Sequence, residues 1–274
     1  MTTASSPRDH SLRNYFALVF LVSWGGILAV GGGLAAIPGP AAPTNPIFPL
    51  VYAAMLAGPV AAALVMTGII EGSAGFRAIA RRLLWRPIDA GFLAVAILTA
   101  PVAIAVSLVV LSLVSDGYRP GLQTGAGPGV VFGLLVGAGA GVLEELGWTG
   151  FATPRLRARW GILRTGLTLG CIWALWHVLA VLWGIGALNG SVPLGLFVAI
   201  DLLAILPVYR VLIVWLHDRS GSLSLAMLMH ASLTASLIVL GPAVTGWRLL
   251  AYDAVVAAVL WIFAGVLLMR RPGL

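Results

Sequence analysis

The chain contains no lysine, one cysteine and nine acidic residues among 274. A lone cysteine, Cys171, excludes an intramolecular disulfide, and its place in an apolar run suits a small packing residue. Charged residues make up 9% of the chain against 60% hydrophobic, which excludes an ordinary soluble domain and points to a polytopic membrane protein. The net charge of +7 rests on arginine alone. These arginines flank apolar runs, where they set orientation and meet lipid headgroups, so the expected partner is the bilayer and not nucleic acid. Internal repeats are missing as well, which weakens the case for a transporter built from duplicated halves.

A membrane-crossing helix needs about 20 mostly apolar residues. Such runs fall at about 14–36, 49–70, 91–114, 129–148, 164–184, 194–216, 221–241 and 248–269. The fold class expected is therefore all-α: a single membrane-embedded bundle over residues 1–274 with about eight transmembrane helices, placed in the cell membrane. The first run is too long for a signal peptide and lacks a clear small-residue cleavage site, so it is expected to stay as an anchor. The joint after it, IPGPAAPTNPIFP, cannot be helical throughout because proline removes a donor and clashes with the preceding turn. Residues 74–90 alternate Arg77, Arg81 and Arg82 with Phe76, Ile79, Leu83, Leu84 and Trp85, the pattern of a basic amphipathic segment lying flat at headgroup depth.

The arginines test this count of spans. With the N-terminus inside, the inner segments carry Arg8, Arg13, Arg77, Arg81, Arg82, Arg86, Arg155, Arg157, Arg159, Arg164, Arg210, Arg219, Arg270 and Arg271. The outer loops carry Arg119 and Arg248. That bias implies eight spans with both termini cytoplasmic.

Against this apolar background the residues 141–151, GVLEELGWTGF, stand out. An ionised side chain at membrane depth costs about 2.5–3.5 kcal/mol on insertion scales and usually marks a functional site. Gly133, Gly137 and Gly141 recur every four residues and lead to Glu145, with Glu144 bordering the same face. Small residues at this spacing let helix backbones approach closely in lipid, so both carboxylates should face the protein interior. The alternative is that they snorkel to the inner interface. The fifth span repeats the design with Gly166, Gly170, Trp173 and His177, and the seventh with Ser222, Ala226, His230 and Thr234. Three helices thus offer ionisable groups to one interior.

Such a set suits water activation. A glutamate in an apolar site can serve as general base. The histidines can orient the water, or Glu144, His177 and His230 can together bind a divalent metal such as zinc through neutral imidazole and carboxylate. A donor near His230 can stabilise an oxyanion. Nothing matches the H-E-x-x-H zinc signature, so spacing does not decide for a metal. Asp201 and Arg210 on the sixth span are nine residues apart, about 13 Å along a helix, too far to pair. Asp201 is expected to be hydrated near the outer end and Arg210 to snorkel inward. Asn189 and His217 fall in expected loops.

EELGWTGFATPRL, IWALWH and LAMLMHASLT, in that order, resemble the three motif blocks of the CPBP family of intramembrane proteases, with a likeness over roughly residues 74–236 and a motif core about 129–236. The family includes CAAX prenyl endopeptidases and abortive-infection-like proteins. The resemblance implies a bundle of mostly eight helices whose site opens towards the cytoplasm. It implies that Glu144 activates water and that Glu145 supports it. The family's EExxxR has Thr149 at its arginine position here, with Arg155 six residues on. Its FxxxH becomes Trp173 to His177, and its HxxxN becomes His230 to Thr234, where threonine offers one donor in place of an amide. The expected function is an intramembrane endopeptidase cutting a peptide bond near the cytoplasmic face. Glu144 would be the base, His177 would position water or metal, and His230 with Thr234 would serve the oxyanion. Its substrate would be a peptide or protein, lipidated ones included. The competing readings are a non-catalytic immunity or scaffold protein, which Thr149 favours, and a small transporter or proton relay using the two glutamates.

Overall fold

A computed structural model describes residues 7–33, 46–83, 89–122, 124–184 and 190–269. Most of the proline-rich joint, Leu84 to Arg86, Asn189, Arg270 and Arg271 lie outside the described residues. Every regular element among the described residues is helical: α1 (Pro7–Gly31), α2 (Phe48–Leu83), α3 (Ala90–Ser112), α4 (Pro128–Gly147), α5 (Thr153–Arg157), α6 (Ile162–Gly184), α7 (Leu194–Phe197), α8 (Leu206–Ser220), α9 (Leu223–Leu240) and α10 (Trp247–Met269), with a short 3-10 turn at Asp116–Tyr118. Five-residue π turns at Trp148–Ala152 and Val198–Leu202 join α4 to α5 and α7 towards α8. Eight helical segments are long and apolar enough to cross a membrane, making a polytopic helical membrane bundle. Their outward faces carry large apolar side chains such as Leu21, Ile69, Leu135 and Ile262, as lipid-facing helices must.

Two expected spans run on further than hydropathy indicated. The fourth continues through the π turn and α5 to Arg157, so Glu144 and Glu145 lie well inside it and not at its end. The sixth extends to Ser220, which places His217 in α8 and not in a loop. The amphipathic stretch after residue 72 is helical as far as Leu83 and is set off from the first part of α2 by a break in the helical backbone. It continues α2 across a kink at Gly72 (φ 57°, ψ −144°), a left-handed backbone that glycine adopts without a Cβ penalty. Beyond the kink Gly75 and Ile79 are buried while Arg77 and Arg81 are exposed. Cys171, expected to pack inside, faces outward from α6.

The glycine stripes act as helix seams. α4 packs along α9, α6 along α8, α1 along α2, and α3 takes the other side of α9. A Cβ built on Gly133 would meet the Val239 side chain at 2.6 Å, and one on Gly137 would meet the Ala231 carbonyl oxygen at 2.5 Å. On Gly166 it would meet the Val211 Cα at 2.5 Å. Without side chains at these points the backbones close up, and the polar residues that follow each stripe are carried into the bundle.

Gly137→Val therefore forces α4 and α9 apart and should destabilise the bundle by roughly 1–3 kcal/mol, as overpacking does. Gly139, on the same helix, has open space around its Cβ position. Thermal unfolding in detergent should show a clear loss for Gly137→Val and none for Gly139→Ala.

Candidate functional site

The site is built on the first π turn. A π turn inserts one extra residue into a helix and commonly occurs where side chains must be re-aimed. Residues 147–153 are buried without interruption, so this part of the fourth span sits at the bundle centre. Trp148 donates from Nε1 to Glu144 Oε2 at 3.2 Å, and Thr149 donates its hydroxyl to Glu145 Oε2. Tyr15 stacks on Phe151 at 4.7 Å between centroids, and Trp176 meets Trp148 edge-on at 5.9 Å. This aromatic shell holds the turn rigid.

Glu145 is fully buried and saturated with donors. Arg210 Nη1 reaches its two carboxylate oxygens at 2.8 and 2.7 Å, and His230 Nδ1 donates to Oε1 at 2.6 Å. Arg210 does not snorkel: it has no exposed surface, and its guanidinium lies over the Trp173 ring, 4.3 Å from the centroid. In lipid, a charge midway along a helix is stabilised by a carboxylate on a neighbouring helix more readily than by a reach to water. The cation missing at Thr149 thus comes from α8. Arg155 plays no part in it, being bound to Glu71 and to the Phe151 carbonyl.

Glu144 is held differently. Its Oε2 accepts from Trp148 and, at 2.7 Å, from Trp173 Nε1, while Oε1 lies 3.8 Å from His230 Nε2. Tryptophan rather than phenylalanine at position 173 therefore supplies a hydrogen bond that a phenyl ring lacks. His177 Nδ1 donates to the Trp173 carbonyl at 2.9 Å, since a carbonyl only accepts, and this leaves Nε2 as its second ring nitrogen. Both histidines pack against Trp173, with centroids 5.0 Å away for His230 and 5.2 Å for His177.

Glu144, His177, His230 and Thr234 line one cavity of about 270 Å³, whose remaining walls are mostly apolar, with Met55, Leu56, Leu206 and Leu233 among them. Glu145 is not on that wall; it stands behind His230. Asp201, expected to be hydrated, lines the same cavity. Along α9 the lining runs from His230 through Thr234 to Ile238, away from the end where Ser224 bonds to the Leu83 carbonyl. The cavity thus extends from the carboxylates away from the arginine-rich ends of the helices.

The donor types would suit zinc, but among the described residues no three His, Cys, Asp or Glu side chains gather at metal-binding spacing. The sequence showed the glutamates and histidines but missed Arg210 as counter-ion and both indoles as donors. A lone arginine inside LPVYRVLIVWL was the available signal, because a buried charge requires a partner.

Residues 126–236 match the family described as type II CAAX prenyl endopeptidase Rce1-like. A CAAX prenyl protease 2 from Methanococcus maripaludis is 40% identical over 48 residues, a match covering 18% of this chain and 17% of that protein. Together with the motif order, these matches support a CPBP family protein.

Arg210→Met should leave Glu145 as an uncompensated buried charge and cost about 3–5 kcal/mol. Denaturant or thermal unfolding in detergent should show that loss, and adding Glu145→Gln to Arg210→Met should restore part of it.

Proposed function

We propose that this CPBP-family chain is an intramembrane endopeptidase of CAAX-protease type, in which Glu144 activates a water molecule for attack on a peptide carbonyl. The observation that carries the reading is the convergence of Glu144, His177, His230 and Thr234 from three helices on one cavity. A water donating to Glu144 Oε1 and to His177 Nε2 loses the first of these protons to Glu144 as its oxygen adds to the carbonyl carbon. The Thr234 hydroxyl is the donor for the resulting oxyanion. His230 Nε2, 3.8 Å from Glu144, receives the proton and delivers it to the departing amine. Glu145 supports the positive charge on His230 through Nδ1–H, and Arg210 and Thr149 keep Glu145 in place. His177 orients the water through Nε2, its Nδ1 being bonded to the Trp173 carbonyl.

His230 lies seven residues into α9 from Leu223, about 10 Å along the axis. The positive-inside bias puts that end, and both termini, in the cytoplasm. Cleavage thus falls inside the membrane near its cytoplasmic face, with the apolar cavity receiving the side chains or lipid group of a peptide or protein substrate. The cell membrane is the proposed location.

Peptide termini from cells carrying wild type or Glu144→Gln at matched expression provide the test. Termini that depend on Glu144 should be present in wild type and depleted about 10²–10⁴-fold in the variant, the usual loss on removing a general base. Identical termini from a folded variant would favour a non-catalytic binding or immunity role. With a substrate in hand, Trp173→Phe should lower kcat more than it alters KM, because the indole N–H acts on Glu144 and not on the substrate.

A further inference from the structure

A second cavity, of about 580 Å³, lies at the arginine-rich end of the bundle, beneath the part of α2 that follows the Gly72 kink. It is separate from the Glu144 cavity and shares no lining residue with it. Its polar walls are Arg82, Arg155, Glu71, Ser11 and Thr67, and its apolar edge includes Ile70 and Ile79. Two guanidiniums face one carboxylate here, leaving one positive charge in excess.

Both arginines are held in place, and the carboxylate of Glu71 is bonded to one of them, Arg155. Arg82 donates from Nη2 to the Gly150 carbonyl at 3.1 Å and from Nε to the Ala78 carbonyl at 3.3 Å. Arg155 donates to the Phe151 carbonyl at 2.8 Å, stacks 3.5 Å above the Phe151 ring, and pairs with Glu71. Each feels the charge of the other. Carbonyls fix a guanidinium but do not cancel its charge, and among the described residues the carboxylate that acts on Arg82 is Glu71, which itself is bonded to Arg155. The exposed Arg77 and Arg81 add to the positive field on the same segment.

We propose that this cavity binds a phosphate group, and that the phosphate belongs to the headgroup of an anionic phospholipid. Arginine is suited to phosphate because its fork donates two parallel N–H groups. The depth fits a headgroup: the segment beyond Gly72 carries its arginines at the end of a membrane-crossing helix, where anionic lipids gather on the cytoplasmic side. The apolar edge at Ile70 and Ile79 would take the glycerol and the first methylenes. The bound headgroup would also bear on the active centre, since Arg82 holds the carbonyl of Gly150, the residue after the Thr149 that bonds Glu145. The binding site itself stands whether or not the chain is a peptidase.

The test uses the full chain purified in detergent, with lipid retention read by native mass spectrometry and stability read by thermal unfolding. The probes are phosphatidylglycerol, phosphatidylcholine and inorganic phosphate. Wild type should retain phosphatidylglycerol and be stabilised by it, while phosphatidylcholine and inorganic phosphate at equal concentration give little. Arg82→Gln should lower phosphatidylglycerol retention at least fivefold. Ala158→Glu should do the same by placing a carboxylate on the exposed rim of the cavity, with no buried side chain altered. Arg164→Gln, an exposed arginine outside the cavity stacked on Trp160, should leave retention unchanged. Stabilisation by inorganic phosphate alone, lost in Arg82→Gln, would assign the site to a soluble phosphate compound and overturn the lipid. Equal phosphatidylglycerol retention in wild type and Ala158→Glu, or an equal loss in Arg164→Gln, would overturn the site altogether.

Discussion

A carboxylate and a guanidinium, both without exposed surface, meet at the centre of this bundle, and the geometry around them follows from the need to satisfy the carboxylate. Removing either charge from water costs several kcal/mol, and only dense, well-directed hydrogen bonding offsets it. Glu145 accordingly accepts from Arg210, Thr149 and His230. These bonds fix the π turn to α8 and α9. They also determine how His230 presents itself, since a ring nitrogen committed to Glu145 turns the other towards Glu144. The charge pair thus also sets the orientation of the histidine that faces Glu144.

The two glutamates are adjacent in sequence but stand in different surroundings. Glu145 is enclosed by donors that include a full positive charge, whereas Glu144 accepts from two indole N–H groups and turns one oxygen towards a cavity. A neutral N–H stabilises a carboxylate less than a guanidinium does, so the two glutamates differ in the strength of their bonding as well as in which of them meets the cavity. The difference between the two carboxylates follows from which donors each one meets.

The departures from the family motifs become intelligible in the same terms. Threonine at 149 brings no charge, yet its hydroxyl still reaches Glu145, and the cation arrives from a helix 65 residues away. Tryptophan at 173 keeps the aromatic wall and adds a donor to Glu144. Each substitution changes where a bond originates while the carboxylate it serves remains bonded.

The sequence by itself determined the class of the fold, because the length of an apolar run, the position of arginines and the four-residue spacing of glycine are local quantities. The stripes ending at Glu145, His177 and His230 could be read as seams directly from their period. The boundaries were less legible: hydropathy marks where apolar character ends, whereas a helix ends where its backbone bonding does, so the fourth and sixth spans ran on to Arg157 and Ser220. Nor does hydropathy mark where α2 bends, since a backbone angle at Gly72 sets the kink. What only the tertiary structure decided was partnership. Arg210 looked like a snorkelling cation because it was judged along its own helix. The partner of a buried charge lies across an interface, and which residues face each other there is settled by how the backbones close at the glycine seams.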